Sequence, residues 1–489
     1  MLFNSPEFIF VFIPVVLIFA SFTQRYISKE TNIYLIILSS IFFYGFWNIS
    51  FVPLLIGSVL FNFLIHKKIK NRRFLITGLI INISLLLFFK YTNFFIDNIS
   101  LILDKQFTHY NIALPLAISF FTFQQIAFIV DSYKNKTTKF SIYEYMLFIT
   151  FFPQLIAGPI VRFHQFIPQL KSNKLNISLD NISIGIVIFS IGLFKKVVLA
   201  DQLGLVTDNV FFHSSQHTLS FFESWGGVLA FTFQIYFDFS GYSDMAIGLG
   251  QIFGIKLPLN FNSPYKSKSI IDFWRRWHIS LSSFLKEYIY IPLGGNKKGT
   301  FIKYLNILIV MLVGGVWHGA GWNFILWGLS HGILLIINHE INRNNLKIYL
   351  PTFGKQIFTF LLVTINWVLF RSENLMSIKN IYLGMIGQNG FYLDHRLEKF
   401  LPFTSSLIVF EGQNIGSFDL VGVFYIVISI LIISLFSNTN EIINKKEKSL
   451  INLKFDFNIR GSIYLATMLF LSILLMLNVP KTEFLYFDF

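Results

Sequence analysis

The feature that most constrains this chain is a succession of apolar runs, each long enough to cross a bilayer, recurring from one end to the other. A hydrocarbon core about 30 Å thick is crossed by about 20 mostly apolar residues in a helix. Inside that core every backbone N–H and C=O must be bonded within its own segment, so such runs predict membrane helices. Of the 489 residues, 54% are hydrophobic and only 13% charged, too little charge to cover a soluble fold of this size. The expected fold is an all-α polytopic membrane protein with about eleven transmembrane or re-entrant helices and interfacial amphipathic helices. It reads as a single membrane domain over residues 1–489, with its motifs concentrated at about 112–340.

Charge placement orients these runs. The run Phe8 to Phe22 follows Glu7 with no basic residue before it, so it reads as a permanent span and not as a cleaved signal peptide. Basic residues mark cytoplasmic connections. They gather at His66–Arg73, at Lys134, Lys136 and Lys139, and in the linker holding Lys445, Lys446, Lys448, Lys454 and Arg460. Those placements agree with one another and put both termini on the outer face. The net charge of +14 is therefore a matter of topology, and no basic soluble face for nucleic acid is visible.

Three stretches break the pattern of simple spans. Phe151 to Pro159 interrupts an apolar run with Pro153, Gly158 and Pro159, which predicts a broken or re-entrant helix lined by protein. Ser269 to Ile291 mixes Trp274, Trp277, Phe284 and Leu285 with Arg275, Arg276, Lys286 and Glu287, as an interfacial helix would. Gly384 to Asp419 is polar enough for a long loop. The chain has no cysteine, which excludes disulfides, thiolate metal sites and a cysteine nucleophile.

Ionisable residues inside apolar segments are costly and point to function. His318 lies in Trp317-His318-Gly319-Ala320-Gly321-Trp322-Asn323, between the apolar runs Phe301–Val316 and Phe324–Ile337. A neutral imidazole there suits proton abstraction from a hydroxyl, and equally a histidine that bridges helices. His278 follows Asp272-Phe273-Trp274-Arg275-Arg276-Trp277, where the two guanidinium groups suit either anionic phosphates or lipid headgroups. Asp238 and Asp244, with Gln234, orient a histidine, bind a cation or form a structural network. His213 and His217 have metal-ligand spacing without a carboxylate nearby, and no metal is expected. His331 reads as a lining residue and His339 as a loop residue.

The ordered set Phe152-Pro153-Gln154, Gly158-Pro159, Asp238-Phe239-Ser240-Gly241-Tyr242-Ser243-Asp244, Trp274-Arg275-Arg276-Trp277-His278 and Trp317-His318-Gly319 resembles the membrane-bound O-acyltransferases. Within that family it is similar to the bacterial branch that acetylates alginate or peptidoglycan or D-alanylates teichoic acid. The resemblance implies a funnel of helices in the bacterial inner membrane, with His318 and His278 as the functional histidines. It implies acetyl-CoA as the acyl donor, with Arg275, Arg276, Trp274, Trp317 and Asn323 as donor-binding candidates and Asp238, Asp244 and Asp272 as supporting polar groups. The tail Phe484-Leu485-Tyr486-Phe487-Asp488-Phe489 resembles a C-terminal motif of this branch, which makes Tyr486 a candidate acyl relay or an aromatic anchor. The expected partners are a periplasmic serine-hydrolase-like (SGNH) acetyltransferase, membrane lipid, and a polysaccharide as final acceptor. D-alanyl transfer from a carrier-protein thioester and a multi-pass transporter are the rival readings.

Overall fold

A computed structural model describes residues 1–173, 175–344, 349–394, 408–411, 419–444, 458–478 and 482–485. Among the described residues eight helices are long and apolar enough to cross a membrane: Glu7–Tyr26, Ile49–Lys67, Arg72–Leu103, Leu179–Ser214, Gly299–His318, Trp322–Arg343, Thr352–Arg371 and Ile459–Asn478. Leu420–Leu435 is a shorter apolar helix. The protein is a multi-pass, all-α membrane protein. Its helix starts are set by ordinary local chemistry, such as the capping box in which Ser141 and Glu144 each bond the other's backbone N–H.

The chain forms two compact units: Met1–Gly192 with Tyr242–Asn260 and Met476–Phe489, and Leu193–Gly241 with Phe261–Leu475. The first has a core of phenylalanine rings, including Phe8, Phe12, Phe43 and Phe152. Buried amides cross its spans: Asn62 Nδ2 donates to Gln125 Oε1 at 2.7 Å, and Asn82 Nδ2 donates to Asn62 Oδ1 at 2.8 Å. In hydrocarbon such groups are stable only when they bond one another. The expected break is present, with helix ends at Thr150 and Leu155, and residues 151–162 are buried throughout. Phe3, Tyr242 and Phe484 form a stack with 4.8 Å between successive ring centroids, and Phe484 is fully buried. The described part of the C-terminal tail is thus folded into this unit.

The second unit holds the helical hairpin Gly299–His318 and Trp322–Arg343. Its helices meet at Gly315 and Gly328, whose Cα atoms lie so close that a Cβ on Gly315 would collide with Phe324 O and one on Gly328 with Met311 O. Only glycine permits that crossing.

The structure departs from expectation in three places. Ser269 to Ile291 is not one amphipathic helix: it divides into Ile270–Trp274, Ile279–Leu285 and a π-helical turn Lys286–Tyr290, with Phe273, Trp277 and Phe284 buried. Packing of its aromatic residues overrides the surface pattern. The stretch expected as a long loop contains the end of helix Leu375–Met385 and two short strands, Phe391–Asp394 and Ile408–Glu411, paired in parallel. His339 lies on the Trp322–Arg343 helix and not in a loop, with Nδ1 3.3 Å from Lys303 Nζ.

Candidate active site

His318 is the last residue of its helix, which stops because Gly319 turns to extended backbone where the Phe324 ring fills the space of any Cβ. The imidazole is 3% exposed and is walled by rings: Trp317 at 5.0 Å, Trp327 at 5.1 Å and Phe370 at 5.2 Å between centroids. His278 arrives from a different kind of backbone. It occupies the break between two short helices with φ of 43°, a left-handed conformation that a residue with a Cβ rarely adopts. Its ring faces Phe239 edge-on at 4.6 Å and lies 6.5 Å from the His318 ring. Burial pushes the His278 imidazole down from its usual value to about 3, so it is neutral at pH 7.

His331 completes the cluster. Its Nδ1 accepts from Trp274 Nε1 at 3.4 Å, which leaves the ring proton on Nε2. Trp327 stands between two of the histidines, 5.1 Å from His318 and 5.1 Å from His331. An apolar box that holds imidazoles and keeps water out is an arrangement suited to proton transfer to and from a hydroxyl bound beside them in acyl chemistry.

The other expected residues fall in distinct places. Arg276 Nε donates to Asp272 Oδ1 at 2.8 Å, and Asp272 also accepts from the backbone of Lys268, so this carboxylate organises the loop before His278. Arg275 is exposed. Asn323 Nδ2 donates to Ser372 O at 3.0 Å. Asp238 is paired with Lys196, whose Nζ lies 2.6 Å from it and 2.7 Å from Asp201, in an ionic triad in which Lys196 and Asp238 are buried and Asp201 is partly exposed. Asp244 belongs to the first unit. His213 ends the Asp201–Ser214 helix and His217 lies beyond it, and no three metal-binding side chains group together among the described residues. Tyr486 lies outside the described residues.

Sequence reasoning passed over Lys196 and undervalued His331. A lysine within the Leu179–Ser214 span, five positions before an aspartate, was the available signal, since a cation at that depth needs a carboxylate. It sits on the π-helical turn Lys195–Ala200, where one extra residue per turn aims the side chain.

The model of the membrane-bound O-acyltransferase family matches residues 129–378, the stretch that holds His278, His318 and His331. The chain belongs to the membrane-bound O-acyltransferase family. It is an acyltransferase, and its similarity to individual members runs well beyond the matched core. It is 47% identical over 431 residues to a peptidoglycan O-acetyltransferase of Helicobacter pylori, covering 81% of each chain. To a probable alginate O-acetylase of Pseudomonas putida it is 40% identical over 400 residues, 79% of this chain and 80% of the relative. To a teichoic acid D-alanyltransferase of Streptococcus thermophilus it is 32% identical over 233 residues, 46% of this chain and 56% of that one. In this O-acyltransferase the family match includes the ring cluster and ends inside the Leu375–Met385 helix.

Proposed function

We propose that this O-acyltransferase passes acetyl from cytoplasmic acetyl-CoA across the bacterial inner membrane for O-acetylation of a cell-envelope or secreted polysaccharide. The observation that carries the reading is the His278–His318 pair, 6.5 Å apart within an aromatic box. His318 acts as general base: it takes the proton of an acceptor hydroxyl as that oxygen attacks the thioester carbonyl. The C–S bond breaks, the ester forms, and the proton passes to the departing thiolate. His278 assists from the opposite wall, while Arg275 and Arg276 meet the donor's phosphates and Trp274, Trp317 and Asn323 shape its site.

Tyr486 is the proposed relay nucleophile. Support for it comes from the buried Phe484, two residues before it, which brings the tail back against Tyr242. An unperturbed phenol ionises near pH 10 and needs a base to attack at neutral pH. The final acceptor is then reached through a separate periplasmic acetyltransferase, with both termini of this chain on the outer side. Acetyl is favoured over D-alanyl transfer by the longer and closer match to the acetylating relatives.

The test is His318→Ala in the native host, with esterified acetate measured on envelope polysaccharides at matched protein abundance. Loss of ester acetate is expected, and undiminished acetate overturns the reading.

A further inference from the structure

A cavity whose lining includes none of the clustered histidines lies in the same unit. It has a volume of about 720 Å³ and is lined by the C-terminal half of one span and the N-terminal half of the next, including Leu334, Ile337 and Asn338 of Trp322–Arg343 and Phe358 of Thr352–Arg371. That size falls in the range of about 300–1,000 Å³ typical of small-molecule sites. Lys268 and Lys355 also line it, and among the described residues that do so none is acidic. Ile337 and Phe358 are 49% and 55% exposed on membrane helices, so the cavity's apolar wall continues onto surface that meets lipid.

We infer that this cavity binds one anionic phospholipid, its phosphate between Lys268 and Lys355 and an acyl chain along Leu334, Ile337 and Phe358. Three features favour that occupant. Lys355 lies in the first turn of the span Thr352–Arg371 and Lys268 just before the short helix Ile270–Trp274, so both charges stand outside the apolar middle of the spans, where anionic headgroups are met. Their charge is not answered by a carboxylate lining the cavity. The remaining wall is hydrocarbon-like and reachable from within the bilayer. The inference is independent of which acyl group the enzyme transfers. Asn338 is held in place by accepting from the Ile271 backbone N–H at 3.1 Å, which couples the cavity wall to the segment leading to His278.

The experiment is native mass spectrometry of the purified full chain after exchange into detergent with phosphatidylglycerol or phosphatidylcholine. One phosphatidylglycerol per chain is expected to remain, with phosphatidylcholine lost. Lys268→Gln with Lys355→Gln should weaken retention about thirtyfold, the effect of two lysines near an anionic headgroup. Lys297→Gln with Lys298→Gln, which removes the same charge from residues that do not line the cavity, should leave retention unchanged. Leu334→Trp fills the cavity while keeping both lysines, and should abolish retention; it carries the test if the double lysine variant does not fold. Equal retention of the two lipids, or equal loss in the two lysine pairs, overturns the inference. So does displacement of the lipid by coenzyme A, which would assign the cavity to the acyl donor.

Discussion

The rings of His278 and His318 lie 6.5 Å apart, although 40 residues separate them in the chain (318 − 278). One is delivered by a left-handed break between short helices, the other by the end of a spanning helix. The pairing therefore depends on two backbone devices as well as on two side chains, and each can be tested separately.

Replacing either histidine should remove acyl transfer with little effect on folding. General acid–base contributions are typically about 10²–10⁴-fold. His318→Gln is expected to lose at least that much ester acetate. His278→Gln is expected to lose less, since it sits opposite the proposed base. Transfer assays on purified protein, with melting curves run in parallel, check both; an unchanged rate for His278→Gln makes that residue structural.

The buried position of His278 has a pH signature. Its folded-state value of about 3 lies below the free value of 6.5, so the unfolded chain takes the proton first as pH falls. The stability from the neutral buried ring is fully present above pH 6.5 and is lost as pH falls toward 3. Thermal unfolding in detergent across that window should show a shallower loss for His278→Gln than for the parent. Identical slopes would show that this ring is not the titrating group.

Lys196 holds two carboxylates, the buried Asp238 and the partly exposed Asp201, and removing the lysine leaves an uncompensated charge on Asp238. Lys196→Met should destabilise by about 3–5 kcal/mol. Adding Asp238→Asn removes one of the stranded charges and should recover part of that loss. A chemical denaturation series of the single and double variants measures the coupling. Because Asp238 precedes Phe239, which faces His278, transfer activity should fall along with stability.

At the crossing of the helical hairpin, Gly315→Val would force the two helices apart at Phe324 and Gly328. His318 lies one turn beyond and Trp327 beside it, so activity should be lost with a destabilisation of at least about 1–3 kcal/mol, the range for overpacking. Gly57→Ala, where a Cβ would meet nothing within 4 Å, is the matched control and should retain activity.

Tyr486→Phe keeps an aromatic ring and removes the hydroxyl. Under the relay reading, polysaccharide acetylation should be abolished, and an acetylated tyrosine should accumulate in the parent when the periplasmic acceptor is deleted. Peptide mass spectrometry of the C-terminal fragment detects it. Full acetylation by Tyr486→Phe leaves the residue as an anchor.

The sequence by itself determined that this is a helical membrane protein, because apolar length and the need to bond every backbone group leave few alternatives. It also marked His318, since an imidazole among glycines and tryptophans within a span needs a reason to be there. Local pattern could not show that Ser269 to Ile291 breaks at His278, because on either side of the break Phe273 and Trp277 pack against His331 and Trp367, far away in the chain. Nor could it choose among a histidine, a cation and a structural network for Asp238, which is answered by Lys196, or show that Trp327 separates His318 from His331. Those relationships join residues whose separations carry no periodic signal. Only the packing of the tertiary structure decides which side chains share a buried space, and in this enzyme that packing brings the histidines together.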